Sequence, residues 1–372
     1  MNRRDFLKNA GLAAGGALSM GRLSADSPFA PEITHDFKTK HLIWIVNGNG
    51  SRRMDWCQNP TLSPNFARLG KDAFVYTNSR NDTVSNHGRA WAELMTGAPH
   101  ESSIPAFPTP LQYVRHAYRE PAPNYWFMNG VSTYRQWRYH SRYFGDENTR
   151  PISLTATHIY GPEAIKRSPN QVVDEEFPGL TSPEKKAMEE FIEATTRDRL
   201  WEFDLKHAPI ARDPFVGDAL GLALIPHVMK AFKPRMLIFH QVGHDTGHGN
   251  GGYWREQTGY LEYEQVCRTT DEQVGRIFDF VRNDPYFSAN TAIVVRPEFG
   301  RDDEVNRYGE ISHSDGYDQT CRSAEIWYGP DFRAGVSDRL TNRLDVVPSI
   351  TALFNVNAPF ALGSVHREMF KP

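Results

Sequence analysis

Cysteine is scarce in this sequence, which has only Cys57, Cys267 and Cys321 in 372 residues. Three thiols without Cys-x-x-Cys spacing allow at most one disulfide and no cysteine-based zinc or redox site. An excess of charge is also missing, because 42 Lys and Arg face 45 Asp and Glu and the net charge is −3. Without a basic field to attract phosphates, no nucleic-acid partner is expected. Nor does the chain contain an apolar run of the roughly 20 residues that cross a bilayer.

The N-terminus has the pattern of an export signal. Arg3 and Arg4 precede a run of small and apolar residues at 10–20. This pattern resembles a twin-arginine signal peptide, which implies removal of residues 1–25, export by the twin-arginine machinery and a periplasmic or secreted protein without stable membrane insertion. Processing would remove four basic residues and one acidic residue, which leaves a net charge of −6. The alternative is a basic amphipathic helix.

Apolar runs alternate with helical patterns along the rest of the chain. Buried strands are predicted at residues 41–46, 73–77, 235–240, 291–296 and 325–328. Helices are predicted at residues 82–95, 182–205, 256–282 and 343–354. The alternation predicts an α/β fold with a mostly parallel sheet sandwiched by helices. Residues 26–372 are expected to form one such domain, in which residues 98–230 are an insertion or cap.

Histidines are concentrated where one predicted strand ends. Of the 14 in the chain, His240, His244 and His248 fall within nine residues, together with Asp245 and several glycines. Glycine permits the tight turns that would bring these side chains together. Imidazole and carboxylate groups are suitable ligands for Zn²⁺, Mn²⁺ or Fe²⁺. The segment therefore favours a metal site. The alternative is a polar loop whose histidines hydrogen-bond to carbonyl groups.

Acidic residues follow the predicted strand at 291–296. Glu298 lies just beyond it, and His313 and Asp315 lie in the loop before the next strand. Because ligands of open α/β sheets bind beyond the carboxyl ends of the strands, these three residues are candidates for the same site. The alternative, a solvated acidic loop, applies most to residues 302–304.

Hydroxyl groups lie at the start of the helix predicted at 82–95. Thr83, Ser85 and Arg89 occupy its first turns, where free N–H groups and the helix dipole favour an anion. A hydroxyl at that point becomes a nucleophile if a metal lowers its pKa. The alternative is ordinary capping of the helix by the hydroxyl side chains.

Taken in order, these segments resemble the alkaline phosphatase superfamily, which includes sulfatases, phosphodiesterases and metal-dependent phosphoglycerate mutases. The matching segments are residues 42–50, 63–69, 83–97, 245–248, 326–330 and 344–350. A closer likeness is to a secreted, often twin-arginine-exported branch of undefined activity, through Pro297-Glu298-Phe299-Gly300-Arg301. The resemblance implies an alkaline-phosphatase-like core and a divalent metal ion, with zinc, manganese and calcium as the alternatives.

The candidate residues then fall into two sets. The metal ligands are expected among His244, Asp245, His248, His313, Asp315, Asn47 and Asn49, and the catalytic residues among Thr83, Ser85, Arg89 and Glu298. Two departures from the superfamily pattern matter. Superfamily enzymes have Asp where Asn47 and Asn49 stand, and His where Phe299 stands. Since neutral amides are weaker ligands for a hard cation, one metal ion is more plausible than two.

The predicted function is hydrolysis of a phosphate or sulfate ester by an exported metalloenzyme. The substrate is expected to be a small anionic or sugar ester, which Arg135, Arg138 and Arg142 and the aromatic residues between them could bind. One alternative is a catalytically degenerate protein that binds a metal, a carbohydrate or an anion on the same scaffold. Another is an isomerase or transferase of phosphoryl groups.

Overall fold

The architecture comes from a computed structural model of the chain. It describes residues 29, 35–48, 50–56, 59–81, 85, 87–99, 107–130, 144, 150–160, 164–197, 213–241, 259–302, 313 and 318–372. The predicted signal peptide, residues 1–25, lies outside this part of the chain. Within it, no helix is both long enough and apolar enough to cross a membrane.

A single mixed sheet lies at the centre of the described residues. Its nine strands are β1 (His41–Asn47), β2 (Phe74–Arg80), β3 (Tyr125–Asn129), β4 (Ile152–Thr155), β5 (Met236–Gln241), β6 (Thr291–Pro297), β7 (Arg322–Tyr328), β8 (Gly335–Ser337) and β9 (Thr341–Asn342). The order is β4-β3-β5-β1-β6-β7-β2-β8, and β9 also pairs with β2. Only β7 runs antiparallel to its neighbours, β6 and β2, among these strands. The prediction of a mostly parallel sheet is confirmed.

Helices connect and cover these strands. In the described residues they are α1 (Arg53–Trp56), α2 (Pro64–Lys71), α3 (His87–Thr96), α4 (Pro110–Tyr118), α5 (Ala156–Tyr160), α6 (Pro169–Glu176), α7 (Ser182–Arg197), α8 (Asp213–Phe232), α9 (Gly259–Asn283), α10 (Pro285–Asn290), α11 (Asp318–Cys321) and α12 (Val346–Leu353). The helix predicted at 343–354 is divided, because Arg343–Asp345 forms a 3₁₀ turn before α12.

The sheet is buried on both faces. Ile43 and Ile45 of β1 pack on one side with residues of α2, α8 and α9. Leu42, Trp44 and Val46 of the same strand pack on the other side with residues of α3, α4 and α12. This three-layer packing explains why β1 is an uninterrupted apolar run, since a strand covered on both faces has no solvent-facing positions.

Residues 98–230, the range expected to be an insertion or cap, supply two strands of this central sheet. β3 pairs in parallel with β5, and β4 pairs in parallel with β3. The same range contains α4 to α7 and most of α8. Its arginine-rich and aromatic-rich part, residues 134–143, lies outside the described residues.

Acidification is expected to destabilise the fold through His41. Burial lowers the pKa of His41 from 6.5 to about 4; the hydrogen bond to the Pro234 carbonyl opposes this shift, and Arg235 adds to it. The unfolded chain therefore binds a proton that the folded chain excludes, so stability falls as the pH drops from 6.5 to 4, by about 3 kcal/mol. Urea unfolding of wild type and His41→Leu at pH 7 and pH 4.5 measures this. Equal pH dependence in the two proteins would contradict the assignment.

Candidate active site at the carboxyl ends of the strands

Polar side chains line the edge where the parallel strands end. Asn47, Asn129 and Gln241 are the last residues of β1, β3 and β5, and Glu298 directly follows β6. Asn47 is in register with Gln241 on one side and with Pro297 on the other. Ligands of α/β proteins bind at this edge, because the loops that follow the strands converge there.

Glu298 is a fully buried carboxylate at this edge. Its side chain has no exposed surface. The Glu298 N–H donates to the Asn47 carbonyl (3.0 Å), which extends the β1–β6 pairing by one residue beyond the strands. The Glu298 carboxylate oxygen Oε2 lies 3.4 Å from Nδ1 of His87, the first residue of α3. Glu298 therefore lies at the strand end, where the sequence predicts it, and its role in a functional site stays a prediction.

Two imidazoles and a phenyl ring form a cluster beside this carboxylate. The rings of His87 and His313 are 4.6 Å apart between centroids, in an edge-to-face arrangement. Phe299 contacts both, at 5.1 Å from His87 and 4.8 Å from His313. His313 is fixed further, because its Nδ1–H donates to the Ser85 carbonyl (3.2 Å). The start of α3 therefore meets the loop that follows β6, although more than 200 positions separate them in the sequence.

Asn47 has an unusual environment for an amide side chain. It is fully buried, and neither its oxygen nor its nitrogen has a hydrogen-bond partner in the part of the chain that the structure describes. A buried polar group of this kind costs about 1–3 kcal/mol unless a ligand, a water molecule or an ion satisfies it. Amide oxygens are among the groups that bind divalent metal ions in proteins, so the Asn47 side chain is chemically able to be a ligand.

Five of the predicted ligands fall outside the part of the chain that the structure describes. Asn49, His244, Asp245, His248 and Asp315 lie outside the described residues. Among the residues that are described, no group of three or more His, Cys, Asp or Glu side chains is arranged to hold a metal ion. His240, the first histidine of the rich segment, lies in β5 with its ring 4.1 Å from that of Trp91 on α3.

Of the other candidate catalytic residues, Ser85 is buried and Arg89 is exposed. The Ser85 hydroxyl is buried and donates to the Thr320 carbonyl (3.1 Å), so it is engaged in a structural bond. Arg89 is exposed in the first turn of α3. Thr83 lies outside the described residues. The hydrogen bond to Thr320 makes the Ser85 hydroxyl less available for attack, and the choice between Thr83 and Ser85 stays a prediction.

The Glu-Phe-Gly-Arg segment owes part of its pattern to packing. A side chain at Gly300 would place a Cβ atom 2.1 Å from the Arg322 carbonyl oxygen, so only glycine fits there. Arg301 is buried, and its Nε–H donates to the Gly50 carbonyl (3.0 Å). Its guanidinium lies 5.4 Å from the centre of the Tyr263 ring on α9. Arg301 thereby ties the loop after β6 to the loop after β1.

Two buried ion pairs beside the site are not apparent from the sequence motifs. Arg296 pairs with Glu325, and Arg343 pairs with Glu93 of α3. Burial opposes ionisation of Glu325, but hydrogen bonding and charge from His366, with Arg296, lower its pKa to about 2. The available signal was a charged residue inside an apolar strand, since Arg296 follows three aliphatic residues of β6.

Comparison with known proteins identifies the fold. No protein-family model matches the chain, and no curated protein matches its sequence. Wild-type alkaline phosphatase PafA matches with a TM-score of 0.55 and 9% identity, over 91% of this chain and all of its own. The phosphonate monoester hydrolase SpPMH from Silicibacter pomeroyi gives 0.52 and 11%, over 88% of this chain and 76% of its own. An alkaline phosphatase superfamily protein from Vibrio parahaemolyticus gives 0.50 and 13%, over 100% and 79%. The fold predicted from the sequence resemblance is confirmed.

Proposed function

We propose that this chain, which has the fold of the alkaline phosphatase superfamily, is an exported metal-dependent hydrolase of phosphate or sulfate esters. The observation that carries the proposal is the buried Glu298 carboxylate, 3.4 Å from the imidazole that begins α3. It lies at the sheet edge where α/β proteins bind ligands, beside the unsatisfied amide of Asn47. PafA and SpPMH, which share the fold, are named as a phosphatase and a phosphonate ester hydrolase.

The proposed metal site would take its ligands from several loops that follow the strands. Its ligands would come from His244, Asp245, His248, His313, Asp315, Asn47 and Asn49, with Glu298 as a further ligand or a base. A bound zinc, manganese or calcium ion would polarise the ester oxygen and lower the pKa of the attacking hydroxyl or water. The low coordinating strength of Asn47 compared with a carboxylate supports a single metal ion.

The chain itself would bind and orient the ester. α3 has ten residues and begins at His87 beside Glu298, so its free N–H groups favour an anionic ester group at that edge. Arg89 in the first turn adds a positive charge. Thr83 is the proposed nucleophile, with a water molecule as the alternative. Because the mature chain would carry a net charge of −6, local groups and not the overall field would attract the substrate.

The proposed location is the periplasm or the exterior of the cell. The support is the sequence pattern of Arg3 and Arg4 followed by the short apolar run at 10–20. A twin-arginine signal is compatible with a metalloprotein that folds and loads its ion before export. The substrate would then be a small anionic or sugar ester available outside the cytoplasm.

A second candidate is a binding protein that has lost catalysis. Asn47 stands where a superfamily enzyme has a carboxylate, and Phe299 stands where it has an imidazole. Phe299 fills its position with an apolar ring that contacts both His87 and His313. Such a protein would keep the anion-binding edge without the charge needed to hold two metal ions.

Metal analysis and substrate panels distinguish the two candidates. The purified mature protein is analysed for zinc, manganese and calcium, then assayed with p-nitrophenyl phosphate, bis-p-nitrophenyl phosphate and p-nitrophenyl sulfate. The hydrolase is expected to contain about one ion per chain and to lose turnover on chelation, with recovery on readdition. His248→Ala is expected to abolish metal binding. A chain that binds anions without turnover in any metal would instead be the binding protein.

A further inference from the structure

Arg296 is a buried guanidinium with acceptors on three segments. It lies near the carboxyl end of β6 and has no exposed surface. Its Nε–H donates to Glu325 Oε1 of β7 (3.0 Å), and one terminal nitrogen donates to the carbonyl oxygens of Pro297 (2.7 Å) and Glu298 (3.4 Å). The other terminal nitrogen donates to Ser79 Oγ (3.1 Å) and Asn81 Oδ1 (3.3 Å).

An irregularity in β2 brings Ser79 and Asn81 to this guanidinium. Tyr76 pairs with Glu325 and Ser79 pairs with Ser323. The step of three positions from Tyr76 to Ser79 in β2 therefore matches a step of only two positions in β7. This extra residue is a β-bulge, and it reverses the alternation of side chains. Ser79 therefore joins Tyr76 on the face that carries Glu325, where its hydroxyl donates to Glu325 Oε1 (2.6 Å).

The acceptors of Arg296 lie in two parts of the proposed site, the turn after β6 and the segment after β2. The Pro297 and Glu298 carbonyls belong to the turn that carries the Glu298 carboxylate. Asn81 immediately precedes the segment with Thr83 and Ser85. We propose that Arg296 is a positioning residue, which fixes the Glu298 turn relative to the segment that follows β2. This role rests on the proposed function of the Glu298 edge, and it acts through Glu298 and Asn81 without contact to substrate.

The geometry of the guanidinium explains the choice of residue. Arginine offers five N–H donors in a rigid plane, so it can serve a carboxylate, a hydroxyl, an amide and two carbonyls together. A lysine ammonium has three donors at one point and cannot reach all of these acceptors. Glu325 balances the buried charge and is itself fixed by Trp327, whose Nε1–H donates to Oε2 (3.0 Å).

Arg296→Met and Arg296→Lys test this role against Arg235→Met. Arg235 is a matched control because it also forms a largely buried ion pair, with Glu120, but precedes β5 at the opposite end of the strands. Loss of the Arg296 hydrogen bonds should displace the Glu298 turn while the Glu298 side chain itself is kept. Arg296→Met is therefore expected to lower kcat at least about 100-fold and to change KM less than about threefold. Metal affinity should fall about 10- to 100-fold. Arg296→Lys should be intermediate, and Arg235→Met should keep kcat within about threefold.

Amide hydrogen exchange gives a readout that does not depend on turnover. In folded Arg296→Met, or in Arg296→Lys if the first variant does not fold, peptides covering 79–86 and 297–302 should exchange at least about tenfold faster. Arg235→Met should leave these peptides unchanged. Wild-type kcat together with wild-type exchange in the Arg296 variants would overturn the proposal, as would acceleration equal to that in Arg235→Met. A wild type without turnover would reject the hydrolase, while the exchange comparison would still decide the role of Arg296.

Discussion

Glu298→Gln is expected to lower turnover about 10³-fold and to weaken metal binding, while the protein remains folded. The substitution keeps the size of the side chain and removes its charge. A carboxylate that acts as ligand or base at an ester-hydrolysing site contributes roughly 10²- to 10⁴-fold to the rate. The wholly buried position of Glu298, 3.4 Å from His87 Nδ1, strengthens that effect, because little solvent screens the lost charge.

The fold should survive this change because the backbone contact of Glu298 is retained. Its N–H still donates to the Asn47 carbonyl, and its own carbonyl still accepts from Arg296. The measurement is kcat and KM on the best ester of the panel, together with metal affinity by titration calorimetry. Glu298→Asp, which keeps the charge one methylene short, should recover part of kcat.

Glu120→Gln is the control for the loss of a glutamate charge, because the Glu120 side chain is also largely buried. Glu120 pairs with Arg235 at the far end of the strands, so its loss should reduce stability and leave kcat unchanged. Wild-type turnover in Glu298→Gln would show that this carboxylate has only a structural role. In that case the reaction would have to be assigned to other residues at the edge.

The sequence was informative where structure depends on local pattern. β1 and β6 were predicted within one residue, because strands buried on both faces are continuous apolar runs. Glu298 is predicted at the sheet edge because it lies just beyond such a strand, and the structure places it there. His313 is predicted to be a metal ligand from its loop position, and this stays a prediction; the structure places its ring against His87 and Phe299.

The features that the sequence does not predict are contacts between residues far apart in the chain. β3 and β4 fall within the range that the sequence predicts to be an insertion or cap. The sequence of a strand does not show which strand it pairs with in a parallel sheet, and β4 has only four residues. The Arg296 network was missed for the same reason. Ser79 and Glu325 are separated by 246 positions, and no local pattern connects them.

His366 shows how much of this network is hidden. It has no motif around it, yet it is buried with Nε2 3.3 Å from Glu325 Oε2. The backbone N–H of His366 donates to Oγ of Ser349 (2.9 Å), which lies in α12. The buried polar groups beside the site are thus supplied by segments from both halves of the sequence, and the assembled sheet alone brings them together.

Glu93→Gln is expected to lower the free energy of unfolding by about 3–5 kcal/mol. Glu93 of α3 and Arg343 of the 3₁₀ turn before α12 are both buried, and the Arg343 Nε–H donates to Glu93 Oε2 (2.6 Å). The variant would leave a guanidinium in the interior without its counter-charge, which is the costly way to break a buried pair. Burial already lowers the pKa of Arg343, an effect that Glu93 and, more weakly, Glu298 oppose.

Two comparisons make this prediction specific to the buried pair. Asp279→Asn breaks the Arg68–Asp279 pair, whose side chains are 37% and 45% exposed, and should cost less than about 1 kcal/mol. The double variant Glu93→Gln/Arg343→Met removes both charges and should recover much of the loss, because no charge then remains buried alone. Urea unfolding followed by circular dichroism measures all three proteins. If Glu93→Gln were no less stable than Asp279→Asn, the Glu93–Arg343 pair would not hold α3, which begins at His87, against the 3₁₀ turn before α12.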